Sequence, residues 1–267
     1  MQAGTCLRSC RECGIVLNDR APSREVEEQL YDHCESVPIQ HVDEIAAAQW
    51  QWLRGMLPER PRVFDVGCGN GAFLNAVSAE GGEVGGVELD PRNVRLCRES
   101  GLNVNGGSLF DVGIPGNGWD TVTFWDVLDH LDNPFEALQV ASRALRPGGV
   151  LALRGRNGSL HAPLKRTYSR FRGLAKAAHL PDLSVVHRWG LGPADWMHLV
   201  GRSGFEHVRL HPGVPTPGDR YGSLGPSILG QSLKSAIRMV GALASAASMG
   251  RAYCFPSVLV TARKGSQ

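Results

Sequence analysis

The sequence predicts an α/β protein whose core is a doubly wound, Rossmann-like sheet of seven strands with helices on both faces. Short apolar, β-branched runs alternate with helix-like segments, and a glycine-rich turn follows the first of these runs. Such alternation is typical of a parallel sheet covered by helices on both faces. Two later apolar runs, at 205–210 and 254–264, extend the sheet beyond five parallel strands, and we expect the last strand to run antiparallel.

Each predicted element rests on a local pattern. The best-signalled helix begins at Asn133, an N-cap residue, which is followed by Pro134 in the first helical position and by Glu136 in the place that completes a capping box. Pro147 and two glycines then end this helix and start the next strand. The five early strands are predicted at 62–66, 83–88, 102–105, 120–125 and 148–154, and the helices at 70–79, 91–99, 133–145 and 193–202.

The length of the chain fits one domain with additions. With 267 residues, of which 42% are hydrophobic, residues 36–267 can bury a full core. Insertions are expected at 155–190 and 211–253, and residues 1–35 form a cysteine-containing N-terminal segment. Arginines stand near the N-terminus where a signal peptide needs an apolar run, and we find no apolar stretch of about 20 residues, so a cytoplasmic location is expected.

Charge is distributed unevenly along the chain. Residues 1–136 hold 10 Lys+Arg against 22 Asp+Glu, whereas residues 137–267 hold 18 against 4. No acidic residue occurs between Glu136 and Asp182, where many arginines and lysines lie. This asymmetry indicates either an anionic partner or a solvated basic face that acids from the first half neutralise.

The glycine-rich stretch "VFDVGCGNGAFL" raises the question of a ligand. Gly67, Gly69 and Gly71 fit the G-x-G-x-x-G/A pattern of dinucleotide sites, so an NAD-type enzyme is admissible. Asp65, however, places a carboxylate beside the turn, where it would repel a pyrophosphate and attract an ammonium group. Glu88 ends the second strand, where a carboxylate can accept hydrogen bonds from ribose hydroxyls. These residues favour a ligand with a ribose and an amino group.

Four successive motifs, "VFDVGCGNGAFL", "GVELDP", "WDTVTFWDVLDHLDNP" and "LRPGGVLAL", resemble those of class I S-adenosylmethionine-dependent methyltransferases. The resemblance covers about residues 60–155. It implies that the glycine loop approaches the methionine part of the cofactor, that Asp65 holds the amino group through water, and that Glu88 takes the ribose. The cofactor-binding residues that it implies are Asp65, Gly67, Cys68, Gly69, Gly71, Glu88, Leu89, Ser108 and Leu109 at the adenine, and Trp125 through its backbone.

Methyl transfer requires little from side chains, because the sulfonium supplies the leaving group and the protein supplies alignment. If the acceptor is a hydroxyl or an acidic carbon, a base helps, and the candidates are His130, His161 and His187. The predicted function is methyl transfer to a small acceptor, anionic or sugar-like, on oxygen or carbon. The alternatives are a non-catalytic binding protein with this fold and an NAD-type enzyme. Nucleic acid is not expected as a partner, because no aromatic-basic signature of an RNA-binding module is present.

Two metal hypotheses stay open beside this, and we assign no metal. Asp126, Asp129 and His130 would share one face of a helix and could hold Mg²⁺, a pattern similar to that of ubiquinone-biosynthesis O-methyltransferases. The N-terminal segment "CRECGIVLNDRAPSREVEEQLYD" resembles the zinc-binding tag of sugar C-methyltransferases, but its first cysteine pair is missing. We therefore interpret it as a degenerate tag.

The second insertion contains an amphipathic helix. Apolar residues recur there at intervals of three to four, with Lys234 and Arg238 off the apolar stripe. We expect this helix to pack as a lid over the acceptor pocket, with contact to a membrane surface as the alternative. The apolar positions are Leu229, Leu233, Ile237, Val240 and Leu243.

Overall fold

The computed structural model describes residues 7–10, 15–18, 42–160, 188–212 and 255–265, together with positions 170, 239, 243 and 253. The strands are β1 (Leu7–Ser9), β2 (Val16–Asn18), β3 (Arg62–Val66), β4 (Glu83–Glu88), β5 (Val104–Gly106), β6 (Trp119–Trp125), β7 (Leu145–Arg156), β8 (Trp189–Gly190), β9 (Phe205–Pro212) and β10 (Ser257–Lys264). The helices are α1 (Val42–Arg54), α2 (Ala72–Ala79), α3 (Pro91–Glu99), α4 (Leu109–Val112), α5 (Pro134–Ala144) and α6 (Pro193–Arg202).

Seven strands form the main sheet, in the order β5-β4-β3-β6-β7-β10-β9. Strands β3 to β7 pair in parallel, and β10 is antiparallel to both of its neighbours, β7 and β9. The predicted seven-stranded sheet with an antiparallel last strand is therefore confirmed. Because β3 to β7 are parallel, their last residues meet at one side, the carboxyl edge, and their first residues meet at the opposite side, the amino edge. Ligands bind at the carboxyl edge of such sheets.

The core consists of two apolar layers, one on each face of the sheet. Successive residues of a strand point to opposite faces, so Val63 packs in one layer and Phe64 in the other. The same alternation continues in β7, where Leu151 and Leu153 join the layer of Phe64 and Ala152 joins that of Val63. Burial on both faces explains why these strands are nearly continuous apolar runs in the sequence.

Side-chain caps start the helices that follow the strands. Asp90 accepts a hydrogen bond from the Arg92 backbone N–H at 2.8 Å, and α3 begins there. The predicted N-cap at Asn133 is confirmed: its Oδ1 accepts from the Glu136 N–H at 3.1 Å. The Glu136 carboxylate accepts a hydrogen bond from the Asn133 side-chain amide at 3.2 Å, and not from the Asn133 backbone N–H that the predicted capping box would use. The caps fix where each helix leaves the carboxyl edge.

A second, small sheet joins the N-terminal segment to the first insertion. Strand β2 pairs with β1 on one side and with β8 on the other, both antiparallel. The predicted boundary near residue 35, most of both insertions, the lid helix apart from positions 239 and 243, and Cys6, Cys13 and Cys34 lie outside the described residues. Strand β7 extends to Arg156 and β9 to Pro212, each two residues into the predicted insertions. Within the described part of the chain, no helix is both long and apolar enough to span a bilayer.

Candidate functional site

The glycine loop between β3 and α2 adopts a backbone that side chains rarely permit. Gly67, Gly69 and Gly71 have φ values of 70°, 56° and 82°, in the left-handed region. A Cβ on Gly67 would stand 2.5 Å from Val127 Cγ2, and one on Gly71 would stand 2.4 Å from Leu102 Cδ1. A Cβ on Gly69 would meet no heavy atom within 4 Å. The loop is therefore packed against protein at two glycines and open at the third.

Glu88, the last residue of β4, lies beside this open glycine. Its Oε2 accepts a hydrogen bond from the Gly69 N–H at 2.8 Å, and its Oε1 accepts one from the Asp90 N–H at 2.8 Å. The side chain is buried, and this burial raises the pKa of Glu88, although the backbone donors oppose the rise. A carboxylate provides about four lone-pair positions, so positions remain for a further donor.

Asp65, the fourth residue of β3, is more deeply buried. Its Oδ1 accepts a hydrogen bond from Thr123 Oγ1 of the neighbouring β6 at 2.6 Å. Burial raises the pKa of Asp65 to about 8, with the hydrogen bond from Thr123 opposing and the charge of Glu88 adding to the rise. A cation nearby would favour the ionised form, which this site otherwise disfavours.

Cys68 lies in the glycine loop but is buried against Cys97 of α3. Its hydrogen bond with Cys97, together with burial, raises the pKa of the Cys68 thiol. Cys97 Sγ in turn donates to the Gly69 carbonyl oxygen at 3.3 Å. A buried thiol with a raised pKa is a poor nucleophile. Cys68 therefore acts as a small packing residue behind the loop, and the Cys97 sulfur supports the loop backbone.

Three further residues of the predicted cofactor site lie along the next strands. Leu89 follows Glu88 directly and is partly buried. Ser108 caps α4, its Oγ accepting from the Phe110 N–H at 3.2 Å, and Leu109 is buried in the core. A cavity of about 420 Å³ lies between α4 and α5, and Leu109 is among the residues that line it. This cavity is lined by neither Asp65 nor Glu88, so we do not identify it as the cofactor site.

Trp125, the last residue of β6, belongs to an aromatic cluster that the sequence did not predict. Its ring contacts Phe73 and Trp52 edge to face, with centroid distances of 5.3 and 6.2 Å. Trp52 of α1 also contacts His211 of β9 at 5.4 Å. No motif connects α1 or β9 with the end of β6, and only the fold brings them together. Burial, with a smaller contribution from the charge of Arg209, lowers the pKa of His211, whose Nε2 lies 2.8 Å from Thr261 Oγ1.

The residue after Trp125 begins a turn and not a helix. Asp126 has a φ of 58° and forms a salt bridge with Arg154 of β7, whose Nε donates to Asp126 Oδ2 at 2.7 Å. His130 closes this turn through a hydrogen bond from its N–H to the Val127 carbonyl at 2.9 Å. The helical face required by the Mg²⁺ hypothesis is therefore absent from this segment, and the guanidinium of Arg154 occupies one carboxylate.

Among the described residues, no three His, Cys, Asp or Glu side chains group as metal ligands. The catalytic candidate His130 lies in the turn that follows β6, at the carboxyl edge of the sheet. The other candidate, His187, lies outside the described residues. It directly precedes Arg188, whose side chain pairs with Asp132 of the same turn at 2.6 Å.

A family model described as a methyltransferase domain matches residues 39–210. The chain belongs to the methyltransferase domain family. The ubiquinone biosynthesis O-methyltransferase of Cereibacter sphaeroides is 29% identical over 176 residues, 59% of this chain and 71% of that protein. The enzyme of the same name from Paracidovorax citrulli is 28% identical over 115 residues, 40% of this chain and 48% of that protein. The chain thus spans about half the length of some curated relatives that it matches.

The methyltransferase fold is also found among solved structures. The crystal structure of a SAM-dependent methyltransferase from Archaeoglobus fulgidus superposes with a TM-score of 0.56 at 16% identity, covering 91% of this chain and 100% of that one. The predicted resemblance to class I S-adenosylmethionine-dependent methyltransferases is confirmed.

The methyltransferase family implies S-adenosylmethionine as cofactor, and this chain's own residues suit its groups. The open side of Gly69 leaves space against the backbone, and lone-pair positions remain on Glu88 for hydroxyl donors. Asp65 provides a buried acidic group that a cofactor ammonium would ionise. The three features lie around one loop at the carboxyl edge.

Proposed function

We propose that this protein transfers the methyl group of S-adenosylmethionine to a hydroxyl oxygen of a small, anionic acceptor. One observation carries the proposal: two buried carboxylates, Asp65 and Glu88, lie at the carboxyl ends of adjacent strands around a loop that is open at Gly69. The names of the curated relatives support oxygen as the methylated atom. The excess of basic residues after Glu136 supports an anionic acceptor, and a sugar-like one remains compatible with it.

The residues of the carboxyl edge have separable tasks in this proposal. Glu88 holds the ribose hydroxyls, and Asp65 stabilises the ammonium group through its charge and an intervening water, because its side chain is too buried for direct contact. Ser108 and Leu109 border the adenine, and Trp125 borders the methionine part through its backbone. When bound, the cofactor supplies an activated methyl group and its leaving group. The chain's contribution is orientation of the two reactants and exclusion of water.

Calorimetric titration tests the cofactor half of this proposal. S-adenosylmethionine and S-adenosylhomocysteine should both bind with micromolar dissociation constants, and NAD should not bind. Transfer of isotopically labelled methyl to hydroxylated small molecules then tests the reaction. Tight binding of NAD without a response to the methyl donor would contradict the proposal, whereas cofactor binding without any transfer would favour a non-catalytic binding protein.

Variants of basic residues in the first insertion test whether the acceptor is anionic. Neutralising Arg156, Lys165 and Arg166 together should raise the KM of the acceptor and reduce its salt dependence, while cofactor affinity stays constant. If His187 or His130 acts as the base, its replacement with Ala should lower kcat without weakening cofactor binding. A neutralised variant with a wild-type KM at low ionic strength would show that the basic half is a solvated surface.

A further inference from the structure

Asp126 and Arg154 form a salt bridge at the carboxyl edge, next to the predicted methionine site. Both the Nε and Nη2 of Arg154 donate to Asp126 Oδ2, and the Asp126 backbone N–H donates to the Arg154 carbonyl at 2.9 Å. Asp126 is thus held through its side chain and through its backbone by the same residue. The Arg154 side chain is 8% exposed and that of Asp126 is 28% exposed, so the guanidinium is buried while part of the Asp126 side chain faces solvent.

The backbone at Asp126 is strained. Its φ of 58° lies in the left-handed region, where residues other than glycine are uncommon. Such strain persists only where the surroundings fix it, and it is concentrated at binding and catalytic sites. Here the side-chain and backbone hydrogen bonds to Arg154 hold Asp126 in this conformation.

The pair leaves one carboxylate oxygen without a partner. Asp126 Oδ1 is buried and accepts no hydrogen bond, and the neighbouring Trp125 Nε1 is likewise a buried donor without an acceptor. The comparable pair of Asp120 and Arg146, at the other end of the same two strands, shows no such deficit: Asp120 Oδ1 accepts from Arg146 and its Oδ2 from the Arg62 N–H. Of these two pairs, only the one at the carboxyl edge has a carboxylate oxygen without a donor.

We propose that the partly exposed carboxylate of Asp126 receives the hydroxyl of the methyl acceptor, with Arg154 as the positioning residue that holds this carboxylate. The proposal rests on the proposed function and deepens it. Because Arg154 is already neutralised by Asp126, this point of the site offers an acceptor oxygen and no free cation. A hydroxyl fits there, and a carboxylate or phosphate does not, so the anionic part of the acceptor lies elsewhere, towards the basic insertion. As oxygen bonds to the methyl carbon, the carbon–sulfur bond breaks with its electrons left on sulfur, and the hydroxyl proton passes along this hydrogen bond to Asp126 and then to water.

The proposal is tested with a protein-free small-molecule extract of the native cells and labelled methyl donor. Asp126→Ala and the double variant Asp126→Ala/Arg154→Met should transfer label at least tenfold more slowly than wild type. Their affinity for S-adenosylhomocysteine, measured by calorimetry, should stay within twofold. The double variant guards against unfolding, because it leaves no unpaired buried charge. The matched control Arg146→Met, at the amino edge, should transfer at the wild-type rate.

Chemical blocking tests the class of acceptor independently. Acetylation of the extract caps its hydroxyl and amino groups and should abolish its capacity to accept label, whereas mock treatment with acetate should not. Mild alkaline hydrolysis, which cleaves acetate esters and leaves acetamides intact, should then restore this capacity. Undiminished transfer to the acetylated extract overturns the proposal, as does wild-type transfer by the folded double variant. Equal loss of cofactor affinity and transfer in every Asp126 variant also overturns it, because the pair would then serve only the fold. Wild-type protein that binds S-adenosylhomocysteine but transfers no label refutes the proposed function itself and this inference with it.

Discussion

The two edges of the sheet carry similar charged residues in opposite states. At the amino edge, Asp120 of β6 pairs with Arg146 of β7, and both of its carboxylate oxygens are hydrogen-bonded. At the carboxyl edge, Asp126 and Arg154 join the same two strands, but one carboxylate oxygen has no donor and the backbone is strained. Satisfied groups hold a structure together, whereas unsatisfied buried groups cost about 1–3 kcal/mol each unless a ligand completes them. The difference separates the scaffold from the site.

Strand β4 repeats this contrast within six residues. Glu83, at its start, is 60% exposed, and its hydrogen bond with Arg62 lowers the pKa of Glu83. Glu88, at its end, is buried, and burial raises the pKa of Glu88. The same residue type thus prefers its charged form at one edge and resists it at the other. Perturbed carboxylates of the second kind are enriched at functional sites.

The largest expected effect is a loss of stability at the carboxyl edge, in the glycine loop. Gly67→Ala should lower the free energy of unfolding by about 2–4 kcal/mol, because it adds left-handed strain to a clash with Val127. Gly81→Ala is the matched control, since Gly81 has a φ of 85° but its Cβ would stand 4.0 Å from the nearest atoms, those of Arg60. Gly81→Ala should lower the free energy of unfolding by only about 1 kcal/mol. Urea denaturation measures both, and equal losses would show that packing at Gly67 is not critical.

The next effect concerns the cofactor. Glu88→Ala should weaken S-adenosylhomocysteine binding by about 1–3 kcal/mol, because charge-assisted hydrogen bonds to the ribose are lost. Glu83→Ala, on the same strand, should leave this affinity unchanged, because Glu83 lies at the amino edge. Isothermal calorimetry compares the two variants directly. Unchanged affinity in Glu88→Ala would mean that the ribose binds elsewhere.

A pH dependence should follow from Asp65. Its pKa of about 8 in the folded protein exceeds the ordinary value of 3.8, so the folded state binds more protons than the unfolded state between these values. The free energy of unfolding without cofactor should therefore fall as the pH rises from about 5 to 8, and less so in Asp65→Asn. Binding of the cationic cofactor should release a proton below pH 8, so affinity should rise with pH over the same range.

Calorimetry in two buffers of different ionisation enthalpy measures the proton release predicted for Asp65. Asp65→Asn has no carboxyl group to ionise at this position and should release less. The same enthalpy in both buffers for the wild-type protein would contradict the assignment of Asp65 to the ammonium group.

Local patterns were enough to predict the sheet and the loop, because the signals for them are close in sequence. The strand before Gly67, the cap at Asn133 and the acid at the end of β4 each depend on a few neighbouring residues. The salt bridge of Asp126 with Arg154 spans 28 residues, and its strained φ has no local signal. The Mg²⁺ hypothesis required a helix there, in which Asp126 and His130 would share one face. The turn instead forms because the Asp126 N–H and carboxylate both bind Arg154 of the neighbouring strand.

The smallest expected effect lies at the amino edge, in the pair of Arg62 and Glu83. Arg62 Nε and Nη2 bind the two oxygens of Glu83 at 2.9 and 3.0 Å, and the guanidinium lies 4.9 Å from the centre of the Trp119 ring. Both side chains are exposed, so Glu83→Gln should lower the free energy of unfolding by only about 0.2–1 kcal/mol at pH 7, and by less in high salt.

Because the pKa of Glu83 is lowered on folding, the stabilisation from its pair with Arg62 should be present above about pH 4.5 and disappear at lower pH. Thermal unfolding of wild type and Glu83→Gln at pH 7 and pH 3 measures this, and the two curves should converge at the lower pH. S-adenosylhomocysteine affinity should be the same in both proteins. A loss of affinity in Glu83→Gln would mean that the amino edge takes part in the site, and the division between scaffold and site would then not follow the direction of the strands.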